Sequence, residues 1–297
     1  MYKEVAVDPA CIADALCFFA LREQFGFERG RYLIADGGRW LKDAMAAVND
    51  AQRRNEIKPV MAQTIKNWLN KASRKVKVKD RQILLPVNRQ ANSEMLAWND
   101  WWVGQQAIRS FDVSVTPSSN PPQFHEFTEL STLDSWKVSP SYSVDRTATA
   151  IVAAIEPLLR ISKEVMLVDN FFNLGSNAVL AELIRAAVQA GCTQLTIVTG
   201  CDCVSPDRVW AHEYQSLASD DFQCKWLKVP DRFFHDRYLI TDTGAITAGH
   251  GFSAGLQKGT AADKLNLYYC SYEKSQEVKQ DVIKLETDGR ASVIWSN

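Results

Sequence analysis

The sequence lacks the features that mark membrane-spanning, secreted or zinc-binding proteins. No apolar run approaches the roughly 18 residues that a membrane-spanning helix needs. The N-terminal residues MYKE lack the basic and apolar blocks of a signal peptide. The seven cysteines include no C-x-x-C pair, and none of the four histidines has the spacing of a zinc site. We therefore expect a cytoplasmic protein that uses no metal or other cofactor and whose thiols are mostly buried.

An excess of positive charge is also absent. The formal net charge is −1, which argues against a uniformly basic nucleic-acid-binding protein. A local exception is KNWLNKASRKVKVKDR at residues 66–81, which carries seven cations and one acid. Such a run is typical of a solvated surface, and the alternative is a stretch that contacts the phosphates of a nucleic acid.

Composition and breaker residues indicate two folded domains joined by a linker. The 297 residues are 46% apolar and 23% charged, as in globular proteins, and exceed the usual size of one core. The segment VTPSSNPP at residues 115–122 and the cluster Ser139-Pro140-Ser141 are rich in residues that break helices and strands. We predict a first domain over residues 1–120, a linker over 121–144 and a second domain over 145–297.

Helical periodicity dominates the first domain, which is therefore predicted to be mostly helical. Its most unusual stretch is MLAWNDWW at residues 95–102, where three tryptophans share one helix face at the spacing i, i+3 and i+4. A packed core or an interface is the simpler interpretation of this face. A platform on which nucleic-acid bases stack is the alternative.

The second domain alternates buried strands with helices. Apolar strands are predicted at residues 164–172, 194–199 and 224–229, with helices between them. This order predicts an α/β fold with a mainly parallel sheet flanked by helices. Ligands bind such sheets beyond the carboxyl ends of the strands, where Asp169 and Asn170 follow the first strand.

The residues best suited to chemistry lie in HDRYLITDTGAITAGHGFSAG, which begins at His235. The period of two along a strand places His235 and Arg237 on the same face. A guanidinium group is a planar donor for phosphate oxygens, and an imidazole can attack phosphorus or donate a proton. Asp242 can orient an imidazole, and Gly249 and Gly251 allow backbone N–H groups to approach an anion.

The pattern His235-x-Arg237-x4-Asp242-x6-Gly249 resembles the phospholipase D superfamily motif His-x-Lys-x4-Asp-x6-Gly-Ser in its spacing. The order of strands and helices over residues 145–297 also looks like one repeat of that fold. The resemblance implies metal-free phosphodiester chemistry through a phosphohistidine. By position, His235 would be the nucleophile or the general acid, Arg237 would replace the lysine, and Asp242 and Gly249 would match the acid and the first glycine.

This chain departs from the superfamily motif at two positions. Arg237 replaces a lysine, and the two cations are not equivalent at a phosphate. His250 replaces the serine, unless Gly251-Phe252-Ser253 takes the place of the Gly-Ser pair.

The motif also has no second copy in the sequence. A pair of histidines then requires a homodimer, as in the single-motif nucleases of the superfamily. Alternatively, His250 is the second histidine within one chain.

The resemblance implies a divergent phospholipase D-like phosphate-binding protein that acts on nucleic acid as a metal-independent nuclease or phosphodiesterase, in a setting such as bacterial antiviral defence. The variant His-Asp-Arg is also similar to non-catalytic phospholipase-D-like domains that bind phosphoinositide head groups. The alternative is therefore an inactive module that binds a phosphorylated ligand and a protein partner, or a structural subunit of a larger assembly. The candidate phosphate-binding residues are Asp169, Asn170, Gly249, His250, Gly251 and Ser253.

Overall fold

The computed structural model describes residues 1–73, 82–89, 97–117, 123–255 and 263–297. They form two compact units, Tyr2–Val138 and Ser139–Asn297, and Met1 groups with the second. Within the described residues, no helix is both long and apolar enough to traverse a bilayer. Half of the basic stretch at residues 66–81 lies outside the described residues, since 74–81 are not among them.

The boundary between the units corrects the predicted linker. Residues 123–138 belong to the N-terminal unit, where Phe124, Leu130 and Trp136 are buried. Trp136 packs edge-on against Phe25 at 6.2 Å between ring centroids. The loop-forming residues near position 120 are therefore followed by a segment that contributes to the first core.

The N-terminal unit contains a parallel sheet that the prediction of a mostly helical domain omitted. Its four strands run in the order β3-β2-β1-β4, and every pairing is parallel. The strands are β1 (Lys3–Val7), β2 (Arg31–Ile34), β3 (Ile83–Leu84) and β4 (Val113–Val115). The helices are α1 (Ala15–Leu21), α2 (Gly37–Arg53), α3 (Pro59–Ser73) and α4 (Trp98–Ile108). Strands of two to five residues are too short to produce a clear period of two in the sequence.

A buried ionic cluster lies beside β1. The carboxylate of Glu4 accepts hydrogen bonds from Nε of Arg89 and from Nε of Arg109, each at 2.7 Å. The Arg89 side chain is fully buried, and its remaining nitrogens donate to main-chain carbonyls of residues 105 and 109. The carboxylate thus holds two guanidinium groups in the interior, where an unpaired charge is strongly unfavourable.

The C-terminal unit is built on one eight-stranded mixed sheet of order β12-β8-β7-β6-β9-β10-β11-β5. Its strands are β5 (Ser141–Asp145), β6 (Glu164–Val168), β7 (Gln194–Thr199), β8 (Gln223–Lys228), β9 (Arg237–Thr241), β10 (Ala245–Ala248), β11 (Lys264–Tyr269) and β12 (Ser292–Ser296). Its helices are α5 (Ala148–Leu159), α6 (Ala178–Gln189), α7 (Pro206–Val209) and α8 (Tyr272–Thr287).

The C-terminal unit has the predicted α/β class, but the prediction of a mainly parallel sheet is wrong. Parallel pairing is confined to β6, β7 and β8, and the other pairings are antiparallel. One cause is the tight turn at residues 242–244, which makes β9 and β10 an antiparallel hairpin, and β9 itself runs antiparallel to β6. Because β9 is antiparallel to β6, with Val168 opposite Tyr238, the start of β9 lies at the carboxyl end of β6.

The cysteines are free, and most are buried, as predicted. Cys11, Cys17, Cys192, Cys224 and Cys270 are buried, whereas Cys201 and Cys203 are half-buried. No cluster that could hold a metal ion occurs among the residues that the structure describes. Burial raises the pKa of the Cys192 thiol and of the Cys224 thiol from 9.0 to about 12.

These two thiols predict a loss of stability at alkaline pH. Each binds its proton more tightly in the folded state, so the free energy of unfolding is expected to fall as pH rises from about 9 towards 12, by about 1.4 kcal/mol per pH unit for each thiol. Urea unfolding of the wild type and of Cys192→Ala over this range measures the slope. Cys201→Ala, at a half-buried thiol, is the control. An unchanged slope in Cys192→Ala would contradict the prediction.

Candidate functional site

The predicted site residues other than Asp242 lie at one edge of the mixed sheet. Asp169 directly follows β6, and Arg237 begins the neighbouring antiparallel strand β9. Nε of Arg237 lies 3.9 Å from Oδ1 of Asp169. The carboxyl ends of β6, β7 and β8 define this edge, which is where α/β sheets bind ligands.

Asp169 is an anchor in the interior rather than an exposed ligand-binding group. Its side chain is 2% exposed, and its two oxygens accept the backbone N–H groups of Phe171 at 3.0 Å and Phe252 at 2.9 Å. Burial raises the pKa of this carboxyl group, while the two hydrogen bonds and the nearby Arg237 and Arg146 act in the opposite direction. The carboxylate therefore ties the loop after β10 to the end of β6.

Glycine is required at position 251 for a reason that differs from the sequence prediction. Gly251 has φ +81°, and a Cβ atom built there would lie 2.6 Å from Oδ2 of Asp169. A Cβ atom at Gly249 would meet nothing within 4 Å. The glycine thus admits the carboxylate of Asp169, whereas the prediction assigned both glycines to the approach of an external anion.

Arg146 completes the anchoring of this loop and was missed by the sequence analysis. It is buried, and its guanidinium nitrogens donate to the main-chain carbonyls of Ser253 at 3.1 Å, His250 at 3.2 Å and Lys264 at 3.4 Å. Burial lowers the pKa of Arg146, and the charge of Asp169 opposes that shift. In the sequence, Arg146 is a single arginine just before an apolar helix, and no motif distinguishes it from other arginines.

Arg237 remains able to bind an anion. Its Nη1 atom donates to the carbonyl oxygens of His235 at 3.2 Å and Gly249 at 3.4 Å, and its guanidinium lies 5.5 Å from the ring centre of Phe171. Within the described ranges, Nη2 makes no hydrogen bond and Nε faces Asp169 without one. The side chain is 21% exposed, so these N–H groups can reach a phosphate at the surface.

His235 is fully presented to solvent. Its side chain is 96% exposed, and Nδ1 lies 3.1 Å from Oδ1 of Asp236, whose other oxygen accepts the hydroxyl group of Tyr238 at 3.3 Å. With the proton on Nδ1, this hydrogen bond leaves the lone pair of Nε2 directed away from Asp236. The residue precedes β9, which begins at Arg237, so the prediction that both lie on one strand is wrong for His235.

The backbone segment that carries His250 lies beside the segment that carries His235. It is exposed in the loop after β10 and directly follows Gly249. A single atom, Nη1 of Arg237, donates to the carbonyl oxygens of both His235 and Gly249, so the backbones that carry the two histidines are neighbours. The structure therefore brings together His235, Arg237 and His250 at the rim of the anchored loop.

Asp242 lies at the opposite end of β9 and is not part of this site. Its Oδ1 atom accepts the backbone N–H groups of Lys163 at 2.9 Å and Glu164 at 3.4 Å. The five residues of β9 separate it from the start of the strand by roughly 15 Å. Its predicted catalytic role is corrected to a structural one, because it fixes the hairpin turn to the start of β6.

Asn170 and Ser253 position the main chain around the site. The Asn170 side chain is buried, and Nδ2 donates to the carbonyl oxygen of Phe234 at 2.9 Å, directly before His235. Its Oδ1 atom has no hydrogen-bond partner among the described residues. Ser253 is half-buried and contributes its carbonyl oxygen to Arg146. The buried Asn170 side chain is therefore not exposed as a primary phosphate ligand would be.

Comparisons with known proteins name no family for this chain. No family model and no curated protein matches it. Among solved structures, it is similar to that of TrmBL2, an archaeal chromatin protein whose structure shows a novel mode of DNA binding. The two share 14% sequence identity and a TM-score of 0.34, over 54% of this chain and 57% of that chain. A TM-score this low does not establish a shared fold.

Proposed function

We propose that residues 145–297 form a phospholipase D-like domain that cleaves a phosphodiester of nucleic acid without a metal ion. The observation that carries the proposal is the exposed imidazole of His235, hydrogen-bonded through Nδ1 to Asp236 beside Arg237. An oriented imidazole next to a guanidinium group with unused donors can bind and attack a phosphate. The loop after β10 supports this arrangement, because the carbonyl oxygen of Gly249 accepts a hydrogen bond from Arg237.

The geometry supports a two-step reaction. Nε2 of His235 would attack phosphorus, forming a phosphohistidine and releasing the leaving oxygen, which takes its proton from a second histidine. Water would then attack the same phosphorus and break the P–N bond, after giving its proton to that second histidine. Arg237 would bind the non-bridging oxygens in both steps, and Asp236 would stabilise the positive imidazole.

The second histidine is best supplied by the same chain. His250 lies on the segment that Arg237 connects to His235, so one protomer offers both imidazoles at one rim. A homodimer that pairs two copies of His235 is the other source of a second histidine. His250→Ala tests the difference, because this variant loses activity if His250 is the second histidine and keeps it if two copies of His235 form the pair.

A binding module without turnover is the second candidate function, and the ion pair at Arg237 favours it. Asp169 lies 3.9 Å from the guanidinium, which reduces the positive charge offered to a phosphate, and the motif lysine is absent. Such a module would bind a phosphorylated ligand through Arg237 and the exposed His235. The two candidates share one binding site and differ only in whether cleavage follows.

The test is nuclease and phosphodiesterase activity of the purified chain in excess EDTA. We expect cleavage of DNA or RNA in the wild type and a fall of about a hundredfold or more in His235→Ala, because a positioned acid, base or nucleophile typically contributes that much. His212→Ala is the matched control, since His212 is an exposed histidine on the short helix Trp210–Tyr214 and is not part of the motif. It is expected to keep wild-type activity.

The alternative outcomes separate the candidate functions. Binding without cleavage by folded protein, with binding lost in Arg237→Ala, supports the binding module. Equal activity in the wild type and His235→Ala, or activity that EDTA abolishes, rules out phosphohistidine chemistry at this site. Lack of both binding and cleavage leaves the structural subunit as the better description.

A further inference from the structure

Two phenylalanine rings are exposed at the edge of the sheet that carries His235. Phe171 follows β6 and is 62% exposed. Phe233 is an exposed residue of the segment between β8 and β9, two positions before His235. Single exposed apolar residues are common on protein surfaces, so the position and the neighbours of these rings decide whether they have a role.

The segment between β8 and β9 lies across the carboxyl end of the sheet. Residues 229–236 pass the ends of β7 and β6, because the strand order is β8-β7-β6-β9. A Cβ atom at Gly200, directly after β7, would lie 3.0 Å from the carbonyl oxygen of Asn170 and 3.2 Å from Oδ1 of Asp231. Nδ2 of Asn170 also donates to the carbonyl oxygen of Phe234. The backbones that carry the two exposed rings are therefore held together at one edge.

Each exposed ring lies beside a guanidinium group. The guanidinium of Arg237 lies 5.5 Å from the ring centre of Phe171, and that of Arg290 lies 5.5 Å from the ring centre of Phe233. Arg290 is exposed and precedes β12 at the same edge, since the first residue of β12 pairs with the last residue of β8. Rings that alternate with cations are typical of surfaces that bind single-stranded nucleic acid, where bases stack on the rings and cations contact the phosphates.

The tryptophans of α4 offer no comparable exposed faces. Trp101 and Trp102 are buried. Trp102 packs on Phe124 at 4.6 Å between ring centroids and donates its indole N–H to Oγ of Ser114 at 2.7 Å. These two rings are therefore part of the core rather than a platform for bases.

The charge of the edge is nearly balanced, which favours stacking over phosphate contacts as the source of affinity. Arg232, Arg237 and Arg290 are accompanied by the exposed carboxylates of Asp231 and Asp236. A duplex keeps its base faces stacked inside and binds such a surface mainly through its phosphates, so it gains little here. A single strand can place its base faces on the rings and needs fewer phosphate contacts.

Exposed rings beside a phosphate site also occur on proteins that dock on membranes. Insertion of Phe171 or Phe233 into the acyl layer would carry the adjoining guanidinium group towards hydrocarbon, which is unfavourable for a charge. A nucleobase, by contrast, is stabilised by a neighbouring guanidinium group. The pairing of each ring with an arginine thus favours a nucleic acid over a lipid surface.

We propose that this edge binds single-stranded nucleic acid, with one base stacked on Phe171, the neighbouring base at Phe233 and the phosphate between them at His235 and Arg237. The proposal rests on the proposed phosphodiesterase site and adds the class of substrate that the site accepts. Because every base has a face that can stack, the site has little sequence preference. Duplex binds more weakly, since its bases already stack on one another.

Fluorescence anisotropy of a labelled single-stranded oligonucleotide and of its duplex, in EDTA, tests the proposal. The full chain carries His235→Ala as a background, so that cleavage does not consume the probe. The single strand is expected to bind about tenfold or more tightly than the duplex. Adding Phe171→Leu keeps an apolar side chain but removes the ring, and it is expected to weaken single-strand binding about tenfold. Phe171→Trp is expected to keep or strengthen it, because a larger ring still stacks.

Phe19→Leu is the matched control. Phe19 is also exposed, and the guanidinium of Arg22 lies 4.8 Å from its ring centre, but it belongs to the N-terminal unit and has no phosphate site proposed beside it. Single-strand binding is expected to be unchanged in this variant. An equal loss in Phe19→Leu and Phe171→Leu would contradict a specific role for the edge.

The outcomes distinguish this inference from the proposed function. Binding of the single strand that depends on Phe171, without cleavage by the wild type, supports the inference and contradicts the phosphodiesterase. Cleavage by the wild type that Phe171→Leu leaves unchanged overturns the inference and keeps the phosphodiesterase. Equal affinity for single strand and duplex, tighter binding to vesicles that contain phosphatidylserine, or no binding of either nucleic acid also overturns the inference.

Discussion

Replacing Gly251 with alanine is expected to lower the free energy of unfolding of the C-terminal unit by about 2–4 kcal/mol. Two effects add at this position. A side chain at φ +81° adopts a left-handed conformation that costs about 1–2 kcal/mol, and the new Cβ atom would stand 2.6 Å from the carboxylate of Asp169. Asp169 is itself held by two backbone N–H groups and cannot move without losing them.

Gly249→Ala is the control in the same loop, since its Cβ atom meets nothing within 4 Å. We expect it to change the free energy of unfolding by about 0.5 kcal/mol or less. Urea unfolding measures both variants, and hydrogen exchange over residues 163–175 and 245–255 localises the effect. Equal stability of the two variants would show that the approach of Asp169 to this loop is not a structural requirement.

Replacing Glu4 with glutamine is expected to lower the free energy of unfolding of the N-terminal unit by about 3–5 kcal/mol. The substitution keeps the size of the side chain but removes the charge that neutralises Arg89 and Arg109. The Arg89 side chain is fully buried, so solvent cannot replace the lost partner. Burial lowers the pKa of Arg89, and the negative charge of Glu4 is the largest effect that raises this pKa again.

Glu56→Gln is the matched control for this charge removal. Glu56 pairs with Arg54 at the surface, where the two side chains are 53% and 66% exposed. Surface pairs contribute about 0–1 kcal/mol, so little change is expected. Scanning calorimetry gives the loss, and hydrogen exchange over residues 2–138 assigns it to the N-terminal unit. An equal loss of unfolding free energy in Glu4→Gln and Glu56→Gln would mean that the buried cluster contributes no more stability than a surface ion pair.

Strong local patterns in the sequence located much of the C-terminal unit. The strands Glu164–Val168, Gln194–Thr199 and Gln223–Lys228 lie where the apolar runs of the sequence predict them. By contrast, most of β5 (Ser141–Asp145) fell in the predicted linker because of the breaker cluster Ser139-Pro140-Ser141, and its largely exposed residues form no apolar run. A strand that is stabilised by pairing with β11 leaves little trace in its own composition.

The candidate site was predictable only in part, because sequence spacing does not give strand direction. The motif selected His235, Arg237 and Asp242 together, but the five residues of β9 place Asp242 at the other edge of the sheet. The anchoring role of Arg146 depends on contacts with His250, Ser253 and Lys264, more than a hundred positions away. Such long-range main-chain hydrogen bonds have no signature in local composition.

The two outer strands of the eight-stranded sheet bear on how copies of this chain could associate. On one side, β12 shifts register between Val293 and Trp295, and on the other, β5 has five residues with a charged pair, Asp145 and Lys264, at its end. Bulges, short length and charge all hinder another strand from extending a sheet. We therefore expect that any homodimer of this chain docks through its helical or loop surfaces, and that the sheet itself ends within each protomer.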